Sequence, residues 1–169
     1  MKSKYVQYYV EGECEVKLID TLKSELRLIV PGKVQKVNPV ERDITEMRIR
    51  MLSPKTMVVL IFDTDTGRKE VLDKNLELLK RCTNVTEIIT IPQVRNLEDE
   101  LLRCCKIKQI TELLNCKSAK DFKGEFIRAK NLANTLKKHG FDINLLWNTS
   151  PPKPYQHLTN HSERIKLPQ

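Results

Sequence analysis

The sequence has no apolar run that approaches the roughly 20 residues needed to span a bilayer. It also has no internal repeat and no low-complexity tract. Its five cysteines are odd in number and include no C-x-x-C pair, and its three histidines show no metal-ligand spacing, so a zinc site is not expected. We therefore expect a cytoplasmic protein whose cysteines are reduced and mostly buried.

The amino terminus lacks the pattern of a signal peptide. It begins with basic residues, but its apolar stretch is short and leads directly into acidic residues, so we expect the mature chain to begin near Met1. The 30 Lys and Arg residues exceed the 22 Asp and Glu residues, which gives a formal net charge of +8. A basic surface favours polyanionic partners such as nucleic acid, although solubility alone would explain it equally well.

Segments with strand and helix patterns alternate along the chain. Strands are expected at residues 4–10, 33–37, 57–62 and 87–91. Helices are expected at residues 14–28, 44–52, 69–81, 97–106, 107–114 and 118–139. This order predicts an α/β protein with a mostly parallel four-stranded sheet flanked by helices.

The pattern also divides the chain into three parts. Residues 1–105 are expected to form the core of the domain, and residues 106–147 a C-terminal helical extension of it. Residues 148–169 form a basic tail that is rich in proline and lacks helical periodicity. We expect this tail to be extended or flexible.

Two acidic clusters follow predicted strands. Glu11, Glu13 and Glu15 lie where the first strand ends, and Asp63 and Asp65 come directly after the most hydrophobic strand. Ligands bind beyond the carboxyl ends of the strands in open parallel sheets, so both clusters fall on one edge of the sheet. Either cluster alone is weak evidence, because acids at such positions also cap helices or complement the helix dipole.

Converging carboxylates repel one another unless a cation joins them. Hard oxygen ligands suit Mg²⁺ or Mn²⁺, which keep several waters and bind substrate phosphate directly. Gly12 and Gly67, beside the two clusters, would allow a tight turn and a close approach of substrate. The clusters therefore predict a divalent-metal site for phosphodiester chemistry.

The segment YYVEGECE at residues 8–15 resembles the first signature of the TOPRIM (topoisomerase–primase) domain, a hydrophobic strand followed by V-E-G-x-x-E. The segment LIFDTDTG at residues 60–67 is similar to the second signature, a hydrophobic strand followed by D-x-D and often a glycine. About fifty residues separate the two, as in the family. The resemblance covers roughly residues 4–105 and implies a TOPRIM-like, Rossmann-like core.

The resemblance implies a role for each matching residue. Glu11 matches a glutamate that binds metal in the nucleases of the family, and Asp63 and Asp65 match the D-x-D metal ligands. Glu15 matches an extra acid of the stand-alone and overcoming-lysogenisation-defect nucleases, which favours a nuclease over a topoisomerase. Those nucleases also carry acids after the fourth strand, and Glu98 is the preferred match there.

The residues around Glu98 and the later basic residues provide further candidates. Asp99 is the second choice among the acids, and Glu100 is expected on a solvated helix face. Related nucleases often use a late basic residue to stabilise charge in the transition state, a role for which we choose Lys123. Arg95, Lys120 and Lys123 are also candidates for nucleic-acid contacts, although residues of this kind are more often ordinary surface residues.

Several functions are consistent with a TOPRIM domain. We expect neither the strand-passage apparatus of a topoisomerase nor the template-binding and zinc modules of a primase in 169 residues. The resemblance therefore implies a stand-alone Mg²⁺- or Mn²⁺-dependent nuclease that acts on DNA or RNA, as in bacterial or phage defence. A partner ATPase or another defence-system subunit would fit this role. The alternative is a TOPRIM scaffold that binds nucleic acid or a partner protein as an effector subunit without cutting on its own.

Overall fold

The computed structural model describes residues 3–65 and 68–168. Four strands form one all-parallel sheet with the order β2-β1-β3-β4. The strands are β1 Tyr5–Val10, β2 Lys33–Lys36, β3 Thr56–Asp63 and β4 Val85–Gln93. This confirms the predicted α/β class and the parallel sheet flanked by helices. The most apolar segment forms β3, which lies inside the sheet and is almost entirely buried.

Seven α-helices cover the sheet within the described ranges. They are α1 Glu13–Asp20, α2 Glu46–Arg50, α3 Lys69–Lys80, α4 Leu97–Cys104, α5 Ile110–Leu114, α6 Ala119–Arg128 and α7 Leu132–Lys138. A π-helical turn, Thr21–Glu25, continues α1, and a 3-10 helix lies at Ser162–Arg164. None of the helices in this part of the chain combines the length and apolarity that a membrane span requires.

The single helix predicted over residues 118–139 is wrong, because the structure divides it into α6 and α7. Ala129, with φ −57° and ψ 118°, leaves the helical conformation. The side chain of Asn131 then caps α7 by accepting a hydrogen bond from the N–H of Asn134 at 3.4 Å. Gly140, with φ +64°, follows the end of α7 in the left-handed conformation that glycine favours there.

The two faces of the sheet bury two separate hydrophobic clusters. Tyr8 and Ile61 lie on one face and pack with α1, α4 and the C-terminal helices. Tyr9 and Leu60 lie on the other face and pack with α2 and α3. Side chains that alternate along a strand point to opposite faces, so neighbouring tyrosines of β1 serve different clusters. The helices after residue 106 therefore share a core with the sheet.

The C-terminal segment differs from the extended or flexible tail that the sequence predicts. Tyr155 and Ile165 are fully buried. An antiparallel bridge joins Lys166 to Ile29, and the Thr90 hydroxyl of β4 donates a hydrogen bond to a tail carbonyl oxygen at 3.1 Å. Prolines prevent a regular helix here, but buried side chains still fix the tail against the sheet.

Asn75 of α3 holds residues 38–44 of the connection between β2 and α2, and we call these residues the β2–α2 loop. Its side chain is only 1% exposed. Its Oδ1 accepts a hydrogen bond from the N–H of Ile44 at 2.8 Å, and its Nδ2 donates to the carbonyl oxygens of Pro39 and Arg42 at 2.8 and 2.9 Å. One buried amide thus satisfies three backbone groups of the loop.

We expect Asn75→Ala to lower the free energy of unfolding by about 3 kcal/mol, because three backbone groups lose their buried partner. Urea unfolding followed by circular dichroism measures this effect. Asn144→Ala is the matched control, since Asn144 is exposed and its replacement should change stability by less than about 0.5 kcal/mol. Equal unfolding midpoints for the two variants would contradict this role of Asn75.

Candidate functional site

A cleft of about 480 Å³ opens at the carboxyl ends of β1 and β3. These strands are direct neighbours, with Val10 opposite Ile61, so the segments that follow them meet at the same edge of the sheet. The cleft is also bordered by the β2–α2 loop, α4 and α6. Its polar lining consists of Glu11, Glu13, Glu15, Lys36, Asn38, Glu41, Arg42, Asp63, Glu98 and Lys123.

Glu11 and Asp63 are joined directly. Oε2 of Glu11 accepts a hydrogen bond from the backbone N–H of Asp63 at 3.1 Å. Oδ1 of Asp63 accepts one from Nε2 of Gln93 at 2.6 Å. The indole N–H of Trp147 donates to Oε1 of Gln93 at 3.3 Å, which fixes the orientation of the Gln93 amide. Gln93 therefore holds the Asp63 carboxylate in place at the base of the cleft.

Glu15 lies in the first turn of α1 and is buried. Its Oε2 accepts a hydrogen bond from the N–H of Gly12 at 2.9 Å, so it caps the helix as well as lining the cleft. Gly12 has an extended backbone, with φ −139°, in the bend between β1 and α1. A Cβ atom there would lie 3.0 Å from Oε2 of Glu15, so the carboxylate would have to shift slightly to admit a larger residue. Gly67 lies outside the described residues.

The clustered carboxylates shift one another's protonation. The pKa of Asp63 is raised to about 8, mainly by burial and next by the negative charge of Glu11, while the hydrogen bond from Gln93 opposes the rise and Glu15 and Asp65 add less to it. Burial also raises the pKa of Glu11 and of Glu15 above their ordinary values. Burial is the largest cause of the raised pKa for all three acids, and the charges of neighbouring carboxylates add to it.

Glu98 and Lys123 face each other on the α4 and α6 side of the cleft, with Nζ of Lys123 3.5 Å from Oε1 of Glu98. The Sγ of Cys14 donates a weak hydrogen bond to the Lys123 carbonyl oxygen at 3.8 Å. Burial raises the pKa of the Cys14 thiol to about 12, so the thiol stays protonated at neutral pH and is not a nucleophile. All five cysteines are free.

Three of the predicted site residues do not line the cleft. Asp65 is exposed, and Nδ2 of Asn96 approaches its carboxylate only to 3.5 Å. The Arg95 side chain is also exposed and lies 4.0 Å from that of Asp99. Lys120 is exposed on α6. The structure thus brings together Glu11, Glu15, Asp63, Glu98 and Lys123.

The expectation that Glu100 lies on a solvated helix face is wrong. Glu100 is 0% exposed. Its Oε1 accepts a hydrogen bond from the N–H of Val94 at 2.9 Å and forms an ion pair with Arg103 at 2.8 Å, and its Oε2 accepts a hydrogen bond from the N–H of Trp147 at 3.1 Å. Its position in α4 directs it toward the core, where it joins the end of β4 to the C-terminal segment.

Sequence reasoning missed Gln93 and the polar residues of the β2–α2 loop. The loop residues Asn38, Glu41 and Arg42 follow β2, whose carboxyl end lies on the same edge as those of β1 and β3. Applying the strand-end rule to the weak strand β2 as well would have included them. Gln93 is the last residue of β4 and pairs in register with Asp63.

The oxygen-only donors fit a hard divalent cation such as Mg²⁺ or Mn²⁺. Glu11 and Asp63 each use one carboxylate oxygen in a hydrogen bond, and the second oxygen of each makes none to the described residues. No three His, Cys, Asp or Glu side chains in residues 3–65 and 68–168 already lie close enough to ligate one ion together. Comparisons of the chain with protein-family models, with curated proteins and with solved structures find no match.

Proposed function

We propose that the chain is a divalent-metal-dependent nuclease with a TOPRIM-like core, which hydrolyses phosphodiester bonds in DNA or RNA. The charge of the cleft is the main support. Six carboxylates and three basic side chains line it, although the whole chain carries a net charge of +8. Such an excess of partly buried acid is costly unless a cation binds, and it would repel a nucleic acid without one.

The residues of the cleft would have separate roles in binding the metal ion and in orienting its ligands. Glu11 and Asp63 would hold the ion through their second oxygens, and Glu15 and Glu98, which line the same cleft, would complete its surroundings. A bound divalent ion lowers the pKa of a bound water and stabilises charge on a transferring phosphoryl group. Gln93 keeps the Asp63 carboxylate oriented through its own contact with Trp147.

Lys123 would supply a positive charge for the phosphate of the substrate. Burial would lower the pKa of its amine, but the Glu98 carboxylate raises it, and the net pKa lies above the ordinary value. The amine therefore stays protonated at neutral pH. From the wall of the cleft it would stabilise negative charge on the phosphate as the bond to the leaving oxygen breaks.

The alternative function is an effector subunit that binds nucleic acid or a partner protein without cutting on its own. The open arrangement of the acids favours it, since no complete ligand set is formed within the described residues. The negative cleft opposes it, because a pure binder of polyanions gains nothing from six acids at its binding surface. A cleavage assay distinguishes the two.

We expect purified protein to cleave plasmid DNA, single-stranded DNA or structured RNA with Mg²⁺ or Mn²⁺ and to lose this activity in EDTA. Glu11→Gln should lower the cleavage rate on the order of 1000-fold, since one metal-binding carboxylate becomes neutral. Gel electrophoresis with labelled substrates measures the rate.

Glu13→Gln is the matched control. Glu13 lies two residues away, lines the same cleft, and forms an exposed ion pair with Lys36. It occupies an unspecified position of the V-E-G-x-x-E signature, so its replacement should leave the rate within about threefold. Equal losses in both variants would refute the site assignment. Tight binding that never leads to cleavage, unchanged by either substitution, would favour the effector subunit.

A further inference from the structure

The three basic residues of the cleft differ in whether the protein already neutralises them. Nζ of Lys36 lies 2.5 Å from the Glu13 carboxylate, and Nζ of Lys123 lies 3.5 Å from that of Glu98. The Arg42 guanidinium has no ion-pair partner within residues 3–65 and 68–168, although it borders a cleft rich in acids. An anion that reaches Lys36 or Lys123 must compete with a carboxylate, whereas one that reaches Arg42 need not.

The backbone that carries Arg42 is fixed. Asn75 accepts a hydrogen bond from the N–H of Ile44 and donates to the carbonyl oxygen of Arg42 itself at 2.9 Å. Within the loop, Oδ1 of Asn38 accepts a hydrogen bond from the N–H of Val40 at 3.1 Å. The loop is thus held on both sides of Arg42, while the Arg42 side chain is exposed.

The residue before Arg42 in the loop is Glu41, which carries the opposite charge and also lines the cleft. Its carboxylate is one of those that raise the pKa of Glu11, so it acts on the acids at the base of the cleft. Arg42, which is exposed and has no ion-pair partner among the described residues, presents the positive charge of the loop at the wall of the cleft.

We propose that Arg42 forms a phosphate-binding subsite on the β2–α2 loop, which contacts a backbone phosphate of the nucleic-acid strand beside the scissile bond. This inference rests on the proposed function. A guanidinium donates two parallel hydrogen bonds to a phosphate. Because the loop that carries Arg42 is already ordered, its backbone loses little conformational entropy on binding. Arg42 would hold the strand while the acids act on the neighbouring phosphodiester.

The test measures binding of labelled single-stranded DNA and RNA oligonucleotides, each about 20 nucleotides long, by fluorescence anisotropy. Ca²⁺ replaces Mg²⁺, and the measurement is repeated over a range of salt concentrations. Arg42→Gln should weaken binding on the order of tenfold and reduce the slope of log K against log salt by about one. Arg42→Lys should restore the slope but only part of the affinity, because an ammonium keeps the positive charge but lacks the paired N–H donors of a guanidinium.

Arg48→Gln is the matched control, since Arg48 is exposed on α2 and does not line the cleft. It should keep the wild-type affinity and slope. If the wild-type protein binds and cleaves but Arg42→Gln behaves like Arg48→Gln, the subsite is wrong and the proposed function stands. If the wild-type protein neither binds nor cleaves, the proposed function fails and the subsite with it. Lost cleavage with an unchanged salt slope in Arg42→Gln would also overturn the subsite.

Discussion

Replacing Asp63 by asparagine is expected to abolish cleavage and yet to make the metal-free protein more stable. The substitution removes a metal-binding carboxylate, which should lower the cleavage rate on the order of 1000-fold. It also removes an acid whose ionisation is opposed by burial and by the Glu11 charge, so folding no longer requires a proton that the unfolded chain releases at neutral pH, while an amide oxygen can still accept the hydrogen bond from Gln93. We expect the free energy of unfolding in EDTA to rise by about 2 kcal/mol at neutral pH.

The extra stability of Asp63→Asn over the metal-free wild type should grow as the pH rises. The pKa of Asp63 in the folded protein is raised to about 8 from an ordinary value of 3.8. Its contribution to stability is therefore fully present below about pH 3.8 and is lost as the pH rises through about 8. Metal-free wild-type protein should lose stability across this window, and Asp63→Asn should lose less. Urea unfolding in EDTA at both ends of the window measures the difference, and Mg²⁺ should restore wild-type stability at the upper end.

Asp65→Asn is the control for this prediction. Asp65 is exposed, so its replacement should change the free energy of unfolding by less than about 0.5 kcal/mol. Cleavage should fall far less than in Asp63→Asn, because Asp65 does not line the cleft. An Asp63→Asn protein that unfolds at a lower urea concentration than wild type in EDTA, or that still cleaves, would contradict the role assigned to Asp63.

The position of Gln93 illustrates why sequence patterns locate this site only in part. Pro92 predicts the end of the fourth strand at Ile91, yet β4 continues to Gln93. Because β4 is an edge strand, the missing N–H of proline does not interrupt its pairing with β3. The extra residues bring Gln93 beside Asp63. A local pattern cannot reveal this, since it depends on where the strand lies in the sheet.

The acids themselves were predictable to different degrees. Glu11 and Asp63 follow neighbouring parallel strands, and that topology alone brings them together. Asp65 would share the orientation of Asp63 only if the strand alternation continued, but β3 ends at Asp63. Arg42 depends on contacts between the β2–α2 loop and Asn75, which are 33 residues apart in the chain, and no local signal encodes them.

Glu100→Gln is expected to cause the largest loss of stability among the substitutions considered. The Glu100 carboxylate is fully buried, accepts hydrogen bonds from the N–H groups of Val94 and Trp147, and forms an ion pair with Arg103. A neutral amide leaves the half-buried Arg103 guanidinium without its counter-charge and replaces one acceptor with a donor. We expect the free energy of unfolding to fall by about 3 kcal/mol or more, as when one partner of a buried ion pair is removed.

Glu98→Gln on the same helix should affect cleavage much more than stability. Glu98 borders the cleft and pairs with the exposed Lys123, so its replacement should lower cleavage while changing stability by less than about 1 kcal/mol. Urea unfolding and cleavage rates, measured for both variants, separate the two roles. Glu100→Gln should also lower cleavage, because Trp147 orients Gln93 and thereby Asp63. If Glu100→Gln unfolded at the wild-type urea concentration, Glu100 would not join β4 to the C-terminal segment.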